Sequence, residues 1–176
     1  RFFTNLISHL KSVNLLEANQ KGSELEEALN TEIPTFIKRN KKDPRYQEID
    51  KRMRDLASSL FNGISPEAGY VKLFPRLDYM DETLASCLFP FTNISINQIL
   101  STVSQFSYEK KLEILEIYRA NRKNRRDRSG RGLEAGYPLT FELVGGFAEY
   151  RDLERHRILT QQRQSLTPDL GFIIPP

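Results

Sequence analysis

The chain has 176 residues, 28% charged and 39% hydrophobic, with a net charge of +3. That length gives one ordinary domain or parts of two, and the balance excludes a disordered tail. No run approaches the roughly 18 apolar residues of a membrane span, and residues 1–6, although amphipathic, lack the apolar core of a signal peptide.

In chain order, residues 2–18 are predicted as an amphipathic helix, with Phe3, Leu6, Ile7, Leu10 and Val13 at helical spacing. Residues 21–42 are polar and interrupted by Gly22 and Pro34, which leaves room for one short helix over 24–29. Pro44 suits the first turn of the next helix with Asp43 as its cap, and Ile49, Met53, Leu56 and Leu60 share one face as far as Phe61. Asn62-Gly63 ends it.

Residues 70–77 alternate, Val71 and Leu73 against Lys72, and read as a strand that Pro75 confines to an edge. Asp81 is the expected cap of a helix over 82–89, Ser95 of one over 96–105, and Ser107 of a third with Leu112, Leu115 and Tyr118 inward. Cys87, alone and beside Ala85, Leu88 and Phe89, reads as core packing. A lone cysteine cannot close an internal disulfide, so a reducing cytoplasm is the expected compartment.

Residues 119–131 hold seven cations and one acid. Residues 1–118 carry a net charge of −1 and residues 119–176 a net +4, so an anionic partner is sought in the second part. Only Tyr118 and Tyr137 flank the basic run, which gives it no aromatic stacking partners of its own, so nucleic acid is the secondary expectation. Gly130, Gly132 and Gly136 open a loop, and residues 138–144 read as a strand with Leu139, Phe141 and Leu143 set against Thr140 and Glu142. Gly145-Gly146 turns the chain into a helix over 147–164.

On that helix Tyr150, Leu153 and Arg157 share a face, which would carry a guanidinium inward where only an anion could satisfy it. Asp152 and His156 would pair at i, i+4, and Arg151 and Arg155 would repel across one turn. The order of elements gives an α+β class, helices packed on a small sheet.

Thr140-Phe141-Glu142-Leu143-Val144-Gly145-Gly146, followed by Arg155-His156-Arg157, resembles the signature region of the flavin-dependent thymidylate synthases. In that family a Phe-containing strand leads to Arg-His-Arg, then two free positions, Ser, any, Asn, Glu, any, Ser, any, Arg. Thr160 stands at the first Ser, Gln162 at the Asn and Ser165 at the second Ser, while Arg163 and Thr167 depart at the Glu and the last Arg. Upstream, Glu134 matches the Glu of a His-x-Ser/Thr-x-x-Glu-His element, with Ala135 in place of the final His. The resemblance covers about forty residues.

It implies a flavin-dependent thymidylate synthase-like fold and the reductive methylation of dUMP to dTMP, with FAD as cofactor and NADPH and methylenetetrahydrofolate as co-substrates. Arg155, His156 and Arg157 would contact the flavin, and Arg155, Arg163 and Ser165 would bind dUMP. No catalytic side chain and no metal ligand is assigned. Members act as oligomers with sites built between subunits, so a homo-oligomer or a second half of the same chain is expected to complete the site. The start without Met and the end on Ile173-Ile174-Pro175-Pro176 read as an internal fragment. Residues 1–65 would close a preceding helical half, and residues 66–176 would begin the flavin-dependent domain. A non-catalytic flavin-, nucleotide- or nucleic-acid-binding module supporting a catalytic half is the alternative.

Overall fold

A computed structural model describes residues 2–35, 37, 44–67, 69, 71–74, 78–120, 122–123, 125, 127–134 and 139–172. The class is mixed α+β: seven α-helices and a two-stranded antiparallel sheet among these residues. The chain divides into two compact units, residues 1–47 and 48–176. The expected cap Asp43, the proline Pro75, the strand ends Tyr70, Leu77 and Pro138, and the positions Ala135, Gly136 and Tyr137 lie outside the described residues.

The first unit is a helical pair, α1 (Phe2–Ser12) and α2 (Leu16–Glu32). The single helix predicted over 2–18 breaks after Ser12. Asn19 sends its amide back to the carbonyls of Val13 (2.6 Å) and Leu15 (2.9 Å), which gives the turn its own hydrogen bonds. The helix expected only over 24–29 is 17 residues long and passes through Gly22. Gly22 is buried, and a Cβ there would sit 3.0 Å from the Leu10 Cβ. It is therefore the point of close approach between the two helices and not a break. Lys11 pairs with Glu26 across the same contact.

The second unit begins within α3 (Pro44–Leu60). Ile49, Met53, Ala57 and Phe61 recur every fourth residue and are all buried, with Leu56 and Leu60 partly buried beside them. Gly63 takes the left-handed conformation (φ 78°) that follows the helix. Three more helices surround this stripe: α4 (Tyr79–Leu88), α5 (Ile96–Val103) and α6 (Tyr108–Tyr118). Leu84, Leu88, Ile94, Ile99 and Ile114 are 0–1% exposed, each worth about 1.5–3 kcal/mol over an exposed side chain.

The caps are Asp78, Ser95 and Ser107. Asp78 replaces the predicted Asp81: its carboxylate accepts from Met80 N (3.0 Å) and Asp81 N (3.2 Å), and α4 starts three residues early. Asp81 instead pairs with Lys111 of α6 at 2.5 Å in a largely buried setting. Ser95 forms a full capping box with Gln98. On α6 Ile114 and Tyr118 are buried and Leu115 packs partly against the core, as expected for Leu115 and Tyr118, while Leu112 is turned to solvent and its place in the expected line is corrected by Ile114.

The glycines of the basic loop act by close approach. The turn Arg131–Glu134 lies on α4, and a Cβ on Gly132 would fall 2.7 Å from the Cys87 Cα. The Gly132 N–H donates to the Tyr118 hydroxyl at 3.0 Å, and a Cβ on Gly130 would collide with that same hydroxyl. Burial pushes the Cys87 thiol and the Tyr118 phenol each up to about 12. Cys87 is core packing, as its neighbours indicated.

The sheet pairs β1 (Val71–Phe74) with β2 (Thr140–Leu143) in the register Val71↔Leu143, Lys72↔Glu142, Leu73↔Phe141 and Phe74↔Thr140. The alternation expected from sequence is present but inverted. Val71, Leu73, Phe141 and Leu143 are 49–64% exposed, while Thr140 and Glu142 turn inward and Phe74 enters the core. The inward groups have partners: Thr140 Oγ1 donates to Glu82 in the first turn of α4 at 2.5 Å. The carboxylate of Glu142 accepts from Ile96 N, the first amide of α5, at 2.8 Å. The polar edge of β2 thus meets the starts of two helices, where unsatisfied N–H groups and the positive dipole end favour a carboxylate. Among the described residues no helix is long and apolar enough to cross a membrane.

Candidate functional site

The segment that follows β2 carries the residues assigned to flavin and dUMP: Arg155, His156, Arg157, Arg163 and Ser165. Gly146 opens α7 (Phe147–Leu153), which is seven residues long and not the eighteen expected. It stops because the chain supplies another partner for its last carbonyls. Gln161 Nε2 donates to Leu153 O at 2.6 Å, and Glu154, Arg155 and His156 fold into a turn whose amides donate back to Tyr150, Asp152 and Leu153. Arg131 adds a hydrogen bond to the Gln161 carbonyl at 3.1 Å.

This ending changes the geometry of Arg155-His156-Arg157. The three lie on the turn with exposed side chains. The inward guanidinium expected at Arg157 is not there, since the helix ends four residues before it. Asp152 meets Arg155 at 3.6 Å in an exposed pair, in place of the predicted Asp152–His156 contact. Such a pair contributes little in water. Among the described residues Arg157 has no carboxylate partner.

Residues 160–167 have no regular secondary structure, and burial alternates over 162–165. Gln162 and Gln164 face inward, Gln162 donating to Ser86 Oγ and Gln164 to Ile94 O at 2.8 Å. Arg163 and Ser165 consequently face outward. The Arg163 guanidinium lies 4.9 Å from the ring centroid of Tyr150, a cation–π contact that holds the cation near α7. Thr160 Oγ1 and the Glu134 carboxylate come within 3.5 Å, so two positions mapped from the signature meet.

Ser165 and Thr167 line an open depression of about 280 Å³ with Arg54, Ser58, Phe91 and Asn93. Arg155, His156, Arg157 and Arg163 are not part of its lining. The structure thus separates the predicted residues into an exposed Arg-His-Arg turn, a cation stacked on Tyr150, and a serine in a hollow. Arg54, Ser58 and Asn93 had no signal in the sequence, because on α3 and in a loop they look like ordinary solvated positions. Among the described residues no group of three His, Cys, Asp or Glu side chains converges as a metal site.

No protein-family model matches the chain, and no solved structure matches it. Over 185 aligned positions it is 31% identical to a UPF0159 protein of Chlamydia muridarum, covering 99% of this chain and 35% of that protein. A UPF0159 protein of Chlamydia pneumoniae is 30% identical with the same coverage. One from Thermoplasma acidophilum is 32% identical over 180 positions, covering all of this chain and 35% of that protein. Along its whole length, then, the chain is similar to UPF0159 proteins, and it spans about a third of the length of the curated relatives it matches.

Proposed function

We propose that this chain carries part of the flavin and nucleotide site of a flavin-dependent thymidylate synthase-like enzyme that methylates dUMP to dTMP in the cytoplasm, with NADPH and methylenetetrahydrofolate as co-substrates. The observation that carries this reading is the outward alternation after α7. Gln162 and Gln164 anchor the segment, and Arg163 and Ser165 are left facing out, as the Arg155-His156-Arg157 turn earlier in the chain does. Three guanidiniums, an imidazole and a hydroxyl on one exposed stretch of chain, mostly without carboxylate partners, suit a ligand bearing a pyrophosphate or phosphate that spans them.

In this reading Arg155 and Arg157 grip phosphate oxygens through their forked N–H groups, and His156 hydrogen-bonds beside them. Arg163, steadied by Tyr150, and Ser165 orient the nucleotide. FAD, when bound, supplies the redox chemistry, and the protein's part is to position it against dUMP. The remainder of a longer chain, or a second copy in a homo-oligomer, supplies the other walls. The guanidinium turned into a helix interface has no part in this reading.

The test is a titration of the intact protein with FAD, read by flavin fluorescence, followed by dUMP. Arg157→Ala should weaken FAD at least tenfold while the fold is retained, and Arg163→Glu should change dUMP affinity more than FAD affinity. An intact protein that takes up no flavin on reconstitution favours the non-catalytic module. Unchanged FAD affinity in Arg157→Ala removes the assignment of the Arg-His-Arg turn.

A further inference from the structure

The depression between α3 and the segment around Ser165 has a lining suited to an anion. Arg54 and Ser58 stand four residues apart on α3, one turn along the same face. Asn93 joins from the loop before α5, and Ser165 from the segment after α7. Among the described residues Arg54 is the one charged side chain in the lining. Its guanidinium lies 5.8 Å from the Phe91 ring centroid, and it has no carboxylate partner among the described residues. Asp169, outside the lining, accepts from Asn93 Nδ2 at 2.6 Å. That bond uses one of two amide hydrogens and leaves the other free to donate.

We infer that Arg54, Ser58, Asn93 and Ser165 form an oxyanion site that takes the phosphate of a mononucleotide. A guanidinium presents paired N–H donors to a tetrahedral oxyanion, and two hydroxyls and an amide supply neutral donors for its other oxygens. The volume of about 280 Å³ lies at the small end of the roughly 300–1,000 Å³ range of ligand pockets. That favours one nucleotide over a dinucleotide such as FAD. The half-exposed Phe91 ring offers an apolar wall for the organic part. The oxyanion chemistry stands on this lining alone, and the choice of dUMP as the nucleotide rests on the function proposed above.

The experiment measures Kd for dUMP, deoxyuridine, inorganic phosphate and FAD on the intact protein by calorimetry, in wild type and in Arg54→Gln, Arg54→Lys and Thr167→Glu. Arg54 is exposed and Thr167 half-buried, its hydroxyl accepting from Asp169 N at 3.1 Å, and unchanged thermal unfolding verifies that each variant folds. The expected result is dUMP binding weakened at least tenfold by Arg54→Gln, partly restored by Arg54→Lys, and abolished by the added carboxylate of Thr167→Glu. FAD affinity should not move in any of them. Binding of phosphate but not dUMP, with the same dependence on Arg54, upholds the oxyanion site and removes the thymidylate reading. Wild-type dUMP affinity in Arg54→Gln, or no binding of either phosphate or dUMP to the wild type, overturns the proposal.

Discussion

The helices α3 to α6 and the segment from β2 to residue 172 solve the same problem in opposite ways. In the helical part, apolar stripes meet one another, and the buried polar side chains are few, at a cap (Ser95) or along α4 (Glu82, Thr83, Ser86). In the later part, the polar side of β2 faces inward and its apolar side faces out. The difference comes from what each element packs against. A helix stripe packs on other stripes, so burial of apolar area decides its orientation. β2 packs against the first turns of α4 and α5, where unpaired amides and a hydroxyl-seeking carboxylate decide it. Hydrogen bonding to a helix start wins there because an unsatisfied buried amide costs about 1–3 kcal/mol.

The largest effect should come from the turn that rests on the helical part, where a glycine lies against backbone. Gly132→Ala would place a methyl 2.7 Å from the Cys87 Cα and 2.9 Å from its backbone nitrogen, atoms that cannot step aside as a side chain tip can. The expected loss is about 3 kcal/mol in urea unfolding, with the Cys87 thiol becoming reactive toward alkylating reagents under native conditions. A neutral Gly132→Ala would mean that the turn 131–134 does not rest on α4. Next in size is Ser95→Ala, which removes one arm of the capping box and should cost about 1 kcal/mol. Retention of wild-type stability would show that Gln98 alone holds the start of α5.

Much of the helical part was legible because its signals are local. The spacing of Ile49 and Met53, the caps Ser95 and Ser107 and the burial of Cys87 follow from a few neighbouring residues. Errors arose where a distant residue decided the outcome. Gly22 and Gly132 are small because Leu10 and Cys87 lie against them, and sequence spacing does not reveal that. Helix α7 is short because Gln161, eight residues beyond Leu153, supplies the donor that ends it. The candidate site suffered the same way. Arg155, His156, Arg157, Arg163 and Ser165 were found through a resemblance, but their exposure and separation depend on that early stop. Arg54 reaches Ser165 only through tertiary packing.

Glu142 allows the inversion to be tested by pH. Burial raises its pKa, outweighing the N–H of Ile96 that favours the carboxylate. The native state therefore holds this proton more tightly than the unfolded chain does. Stability from this group is full below the unfolded value of 4.5 and declines as pH rises through the higher folded value. Glu142→Gln removes that proton and keeps an oxygen able to accept from Ile96. Relative to wild type, the variant should gain stability between acid and neutral pH, by under about 1 kcal/mol for a half-exposed group. A difference that stays flat across that range, measured by urea midpoints, would mean that Glu142 faces water.

The smallest expected effect tests the other side of the same strand pair. Val71 is 64% exposed opposite Leu143. Val71→Thr conserves shape and β-branching and adds a hydroxyl that water can satisfy. On the solvent side the change should stay within about 0.5 kcal/mol. On an inward-facing side the same hydroxyl would be buried without a partner and would cost about 1–3 kcal/mol. The two outcomes differ by more than the error of a denaturant midpoint. A near-zero result at Val71 beside a pH-dependent gain at Glu142 is obtained only if the polar side of the ribbon faces the helix starts, because reversing the ribbon would exchange the two results.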